Sequence, residues 1–227
     1  SGTCRAFATA PLDTFHPQPA WAEQDVPQWW QAACSAVPRA LAGAGARPED
    51  VAGIGLDCTA CTVLACALDG TPLRRALLWM DQRSFREAEE ISATADPSLK
   101  YVSGVVSPEW MLPKALWLKR HDAEVYGRAG RIVECTDWFM YRLTGAWTLS
   151  LNNVTVKWDY ARPEGGWSTA LLQKVGLDDL PSRWPAPVVP LGKGEGRLAG
   201  PAAADLGLRP GTPVAQGGID AYLGMLG

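Results

Sequence analysis

Near its end the chain reads Pro213-Val214-Ala215-Gln216-Gly217-Gly218-Ile219-Asp220-Ala221. The spacing predicts a short buried strand, a tight turn at the paired glycines that lets the backbone approach another group, and an acid in the first turn of a helix. A helix N-terminus favours the ionised form of such an acid, and an ionised carboxylate beside a bound hydroxyl is a general base. The same Asp220 also fits a plain helix cap, and local chemistry leaves both readings open. A second group is Asp57-Cys58-Thr59-Ala60, which interrupts a β-prone apolar run and so places polar atoms where a strand end meets either a ligand or water. Two cations complete the set. Lys114 stands in an almost wholly apolar stretch and must either extend to water or pair with an acid inside. Lys157 alternates with Val156 and Trp158, which as a strand would turn it to the opposite face, toward solvent or a site.

Cys58-Thr59-Ala60-Cys61 has the spacing of half a zinc site, but the sequence holds no second such pair and only two histidines, His16 and His121. The six cysteines are therefore read as reduced side chains filling the core of a cytoplasmic protein, with no metal site.

These residues need a scaffold. A chain of 227 residues is long enough for a sizeable core, and its net charge of -3 without a basic run argues against nucleic acid as the main partner. No apolar segment has the length to span a bilayer. Asp25 and Pro27 predict a helix start, with Pro38 kinking or ending that helix. Val51 to Leu56 reads as a strand, and two short β-prone runs follow, broken at Thr59-Ala60. A charged helix is expected from about Ser84 to Ser92. A buried one should be capped by Ser107 and Pro108 and start or kink near Pro113. Residues 131–145 read as a strand, a cap at Thr136 or Asp137, and a helix closed by Gly145. The stretch from Leu149 to Tyr160 reads as a further strand. Ser168 caps a helix to about Val175, and a connector with one short helix leads to residues 213–221. Alternating strand and helix signals make this an α/β protein with a mixed β-sheet flanked by helices.

Several segments together resemble the FGGY family of carbohydrate kinases, and within it the ribulokinase-like pentulose kinases. In family order they are GIGLDCTACTVLACALDGTPL, LLWMDQRS, SPEWMLPKALWLKRHDAEVYGRAGRIVECTDWFMYRLTG, VTVKWDY and GTPVAQGGIDAYLGMLG, spanning about Ala22 to the end. The resemblance implies a ribonuclease-H-like, actin-like ATPase fold. Residues 1–227 would be the family's N-terminal, sugar-binding domain lacking its first strand, with the nucleotide-binding domain outside this chain and the chain alone inactive. It implies ATP and Mg2+ as cofactors, a ribulose-like sugar as partner, and admits a homodimer.

By the same resemblance Asp220 matches the catalytic aspartate that takes the proton from the attacking hydroxyl, and Lys157 a substrate-contacting lysine. Asp57, Thr59 and Ala60 lie in the loop that touches the sugar, Glu109 or Trp110 where other members place a sugar contact, and Ser1, Gly2 and Thr3 at a remnant of the phosphate turn. The other readings are a xylulose or pentitol kinase, a non-catalytic sugar-binding domain, and a scaffold in which Asp220 is only a cap.

Overall fold

A computed structural model of the chain describes residues 2–185, 187–193 and 196–225. Its first half builds an antiparallel sheet. Strand β1 (Glu23–Gln24) leads into helix α1 (Val26–Gly43), and β2 (Asp57–Cys58), β3 (Val63–Cys66) and β4 (Ala76–Leu77) follow. Helices α2 (Phe85–Ala93), α3 (Met111–His121) and α4 (Ala123–Arg128) precede β5 (Arg131–Glu134), and the sheet order is β1-β4-β3-β5. All four residues of β3 are buried, which is why it reads as a continuous apolar run rather than an alternating one. Val63 faces Glu134 across the β3–β5 pair, so the end of β5 is carried beside the start of β3.

The second half adds α5 (Cys135–Thr144), β6 (Leu149–Ser150), α6 (Leu151–Lys157), the β7 (Tyr160–Ala161) and β8 (Gly166–Trp167) ribbon, and α7 (Thr169–Lys174). The last elements are β9 (Val188–Val189), β10 (Gly196–Arg197), α8 (Gly200–Leu206), β11 (Pro213–Val214), β12 (Gly218–Ile219) and α9 (Asp220–Gly224). The parallel pairs are here: β6 with β9, and β12 with β2. Antiparallel and parallel pairs are thus divided among several small sheets, rather than joined in the one mixed sheet expected, and the core runs continuously from Val63 and Ile132 through Leu116 and Trp138 to Trp158 and Val214.

Five local expectations are corrected. Helix α1 does not end at Pro38 but continues to Gly43. Pro38 lies on its exposed side, where water can satisfy the carbonyl the ring frees, while Trp29 and Trp30 hold the buried side. Helix α3 is not capped by Ser107 and Pro108. These residues form a turn closed by Trp110 N–H donating to the Ser107 carbonyl at 3.1 Å, the Ser107 hydroxyl is spent on Glu109, and the helix begins at Met111.

The cap of α5 is Glu134, not Thr136 or Asp137; Asp137 sits at the third helical position and accepts from the Glu134 N–H at 3.1 Å, the reciprocal arrangement of a capping box. Leu149 to Tyr160 is not one strand, since only Leu149–Ser150 pairs before the chain turns into α6. Val154 and Trp158, four apart, are both fully buried, so an alternating sequence is here a helical face. Finally, Gly217 and Gly218 form no turn. Neither has a positive φ, and Gly218 is already in β12.

The strand expected from Val51 to Leu56 is reduced to a single bridge at Ile54, whose N–H donates to the Pro213 carbonyl at 2.8 Å and whose carbonyl accepts from Ala215 at 2.9 Å, and the strand itself begins only at Asp57. Among the described residues no helix is long and apolar enough to cross a membrane.

Candidate active site

Asp220 is the first residue of α9, with Ile219 as N-cap, and its exposed carboxylate accepts, among the described residues, only the N–H of its neighbour Ala221, at 2.7 Å. The helix start was expected; what aims it was not. The strand before it is locked from three sides. Register pairs Gly218 with Asp57 and Ile219 with Cys58. The Ser150 hydroxyl donates to the Gly217 carbonyl at 2.7 Å, and the Asn152 side-chain oxygen accepts from the Ile219 N–H at 3.0 Å.

The glycines serve this crossing. A Cβ on Gly217 would stand 2.5 Å from the Leu56 Cβ and 2.9 Å from the Leu56 carbonyl, and one on Gly218 would stand 2.6 Å from Leu191 and 2.9 Å from Asn152. The paired glycines are therefore room for neighbouring chains, not flexibility.

The parallel pairing places Asp57 beside Asp220. Partial burial and then the charge of Asp220 push the Asp57 carboxyl above its usual range. Downstream, Thr59 shares a hydrogen bond with Thr62 at 3.1 Å, and Ala60 and Cys61 form a turn in which Cys61 adopts a φ of 63°. Asp57, Cys58, Thr59 and the half-exposed Trp79 line an open cavity of about 330 Å3.

Lys157 stands at the far end of α6 with its Nζ 5.4 Å from the centre of the Trp110 ring, a cation–π contact. Lys157 and Glu109 both bear electrostatically on Cys61, which places this end of α6 and the Ser107–Trp110 turn around the same loop. Lys157 does not lie on a strand face as expected; it shares a helical face with Asn153, one turn earlier.

Behind α6 lies a fully buried Glu134. Asn153 Nδ2 donates to one of its oxygens at 2.6 Å and Trp158 Nε1 to the other at 2.7 Å, while burial pushes its carboxyl up. Asp137, equally buried, is also raised, by burial and then by Glu134, and accepts the N–H of Ser150 at 3.1 Å. These two acids fix the helix that carries Lys157.

Asp220, Asp57, Thr59, Ala60, Glu109, Trp110 and Lys157 are thus gathered around one loop and one strand crossing. Gly2 and Thr3 are exposed, and a Cβ on Gly2 would meet nothing within 4 Å; Ser1 lies outside the described residues. Sequence reasoning missed Ser150 and Asn152, whose only signal is a run of small polar residues before a basic one. It misjudged Lys114, which is fully buried and, among the described residues, pairs with no acid.

Residues 1–227 match in full the N-terminal domain of the FGGY family of carbohydrate kinases. The chain belongs to that family. Among its FGGY relatives is the human FGGY carbohydrate kinase domain-containing protein, 33% identical over 241 aligned residues that cover 100% of this chain and 43% of the relative. A ribulokinase of Mycolicibacterium smegmatis is 34% identical over 207 residues, covering 83% of this chain and 36% of its own length. The chain spans less than half the length of these curated relatives. In three dimensions it is similar to a xylulose kinase from Rhodospirillum rubrum, with a TM-score of 0.84 at 26% identity, over 96% of this chain and 44% of that one. The fold is accordingly the actin-like one of the FGGY sugar kinases.

Proposed function

We propose that this chain is the sugar-binding half of an ATP-dependent pentulose kinase that phosphorylates the terminal hydroxyl of ribulose or a close ketopentose. The observation that carries this is the convergence of an exposed carboxylate, Asp220, with a polar loop and a stacked lysine on three elements locked to one another. The ribulokinase relative supports the choice of ribulose.

In this reading Lys157, the Thr59–Ala60 turn and the Glu109–Trp110 turn hold the sugar, and Asp220 accepts the proton of the hydroxyl that attacks. Phosphoryl transfer depends on such positioning and on charge neutralisation more than on covalent chemistry. The nucleotide and its Mg2+ supply the phosphoryl group and the neutralising charge. Among the described residues no cluster of three metal-ligating side chains occurs, and Gly2 with Thr3 forms no cradle that a Cβ would fill. No residue of this chain is assigned to either group.

The test is a titration of the full-length protein with D- and L-ribulose, xylulose and ribitol, with ATP turnover measured on those that bind. Ribulose is expected to give the highest kcat/KM. The likeness to a xylulose kinase favours a second reading, in which xylulose leads that order. Binding of none of these sugars overturns both readings. Lys157→Met should raise the KM for sugar about tenfold or more, the value of one charge-assisted hydrogen bond, and leave the KM for ATP unchanged. An effect confined to ATP contradicts this placement of Lys157.

A further inference from the structure

Lys114, in the first turn of α3, is completely buried, and its ammonium group donates to three backbone carbonyls: Cys61 at 2.6 Å, Leu78 at 2.6 Å and Leu77 at 3.5 Å. Among the described residues no carboxylate is bonded to it. The acids that bear on it, Asp81 after β4, Glu134 at the end of β5 and Glu109 before α3, do so through space, as does the Cys61 thiol. A buried charge without an ion partner is a costly way to fill a core, where methionine would serve. Its three acceptors show what the charge accomplishes. Cys61 is a non-glycine residue in the left-handed region, at the end of the turn that contains Thr59 and Ala60. Leu77 and Leu78 lead directly to Trp79, which lines the same cavity as Thr59.

We propose that Lys114 is a positioning residue for sugar binding: its ammonium clamps the Thr59–Cys61 turn onto the end of β4 and so sets the wall against which the sugar lies. The identity of the ligand rests on the kinase reading above; the clamp itself does not.

Burial lowers the pKa of Lys114 to about 8, with Cys61, Asp81, Glu134 and Glu109 opposing the shift. The charged clamp is therefore complete at pH 7 and weakens as pH rises through about 8.

Hydrogen exchange of amides 59–62, corrected for intrinsic rates and referred to β5 amides, tests the clamp in the full-length protein. Lys114→Met should speed exchange of the turn about tenfold relative to β5, the worth of one charge-assisted hydrogen bond. Adding Cys61→Gly, which adopts the same φ without strain, should restore part of the protection. An unchanged ratio in Lys114→Met overturns the proposal. If that variant does not fold, the wild-type protein decides alone: the ratio should rise between pH 7 and pH 9.5, and a constant ratio overturns the clamp. In parallel, the Kd for ribulose should rise roughly fivefold over the same interval as the ammonium is lost. A flat Kd beside a rising ratio refutes the link from clamp to sugar. Absence of binding by ribulose, xylulose and ribitol at every pH refutes the kinase reading, and the exchange ratio still settles the clamp.

Discussion

Asp220 and the Thr59–Cys61 turn follow directly on the paired strands β12 and β2 but are held in unlike ways. The strand under Asp220 is fixed by steric fit and neutral hydrogen bonds: two glycines pressed against Leu56 and Leu191, a serine on one carbonyl, an asparagine on one amide. The turn is held by a buried ammonium acting on carbonyls and by the Thr59–Thr62 hydrogen bond, with a residue in the left-handed region at its end. The atoms that touch the strand in the first arrangement do not titrate. The second changes strength near neutral pH. A site that must hold a base at constant geometry and also admit a ligand is well served by one wall of each kind.

The sharpest separation of the two walls is expected from Asp220→Asn. That change should lower kcat by about 10² to 10⁴ while sugar affinity stays within a few-fold, since the shape is kept and the base is lost. Steady-state kinetics beside isothermal titration reads both numbers, and unchanged turnover removes Asp220 from the chemistry.

Gly217→Ala probes the steric wall. Backbone and side-chain atoms of Leu56 stand in its way, so denaturant midpoints should report a loss of about 1–3 kcal/mol that is independent of pH. A neutral effect means the strand crossing is looser than its geometry.

The pH test probes the other wall. Lys114 has a folded pKa near 8, below that of the unfolded chain, so the unfolded state binds more protons between about pH 8 and 10.5. The stability of wild type relative to Lys114→Met should therefore increase across that interval, by on the order of 2 kcal/mol. The comparison with the variant matters because burial holds the Cys61 thiol far above its usual range, which works in the opposite direction. Stability and sugar affinity are thus expected to move oppositely with pH. A wild-type minus variant difference that is flat from pH 7 to 10.5 shows that Lys114 titrates alike in the folded and unfolded chain, so that burial does not weaken its ammonium. The smallest effect is expected from Trp110→Ala, a few-fold rise in the KM for sugar from loss of the cation–π contact under Lys157. No change there detaches Trp110 from the site.

Elements with local punctuation were legible in the sequence. Asp25 with Pro27, Ser168 and Gly145 mark helix ends that the structure places where expected. Helix α6 was not, because Asn153-Val154-Thr155-Val156-Lys157-Trp158 satisfies the periods of both strand and helix. The deciding constraint is distant. Asn153 and Trp158 both reach the two oxygens of Glu134, and five residues span about 16 Å in a strand but about 7.5 Å in a helix. The glycine pair was read as a turn because the groups that exclude a Cβ come from Leu56, Asn152 and Leu191, far away in sequence. Lys114 was misjudged for a related reason: its partners are backbone carbonyls, which no pattern of side chains announces.

Helix α6 touches the strand of the base at one end, through Asn152, and presents Lys157 at the other. About a turn and a half of backbone separates the two. It works as a gauge block between carboxylate and cation. In the function proposed above, a sugar spanning that gap would meet a length fixed by the backbone of one short helix, so ligands of different reach would be told apart by that length rather than by the side chains that touch them.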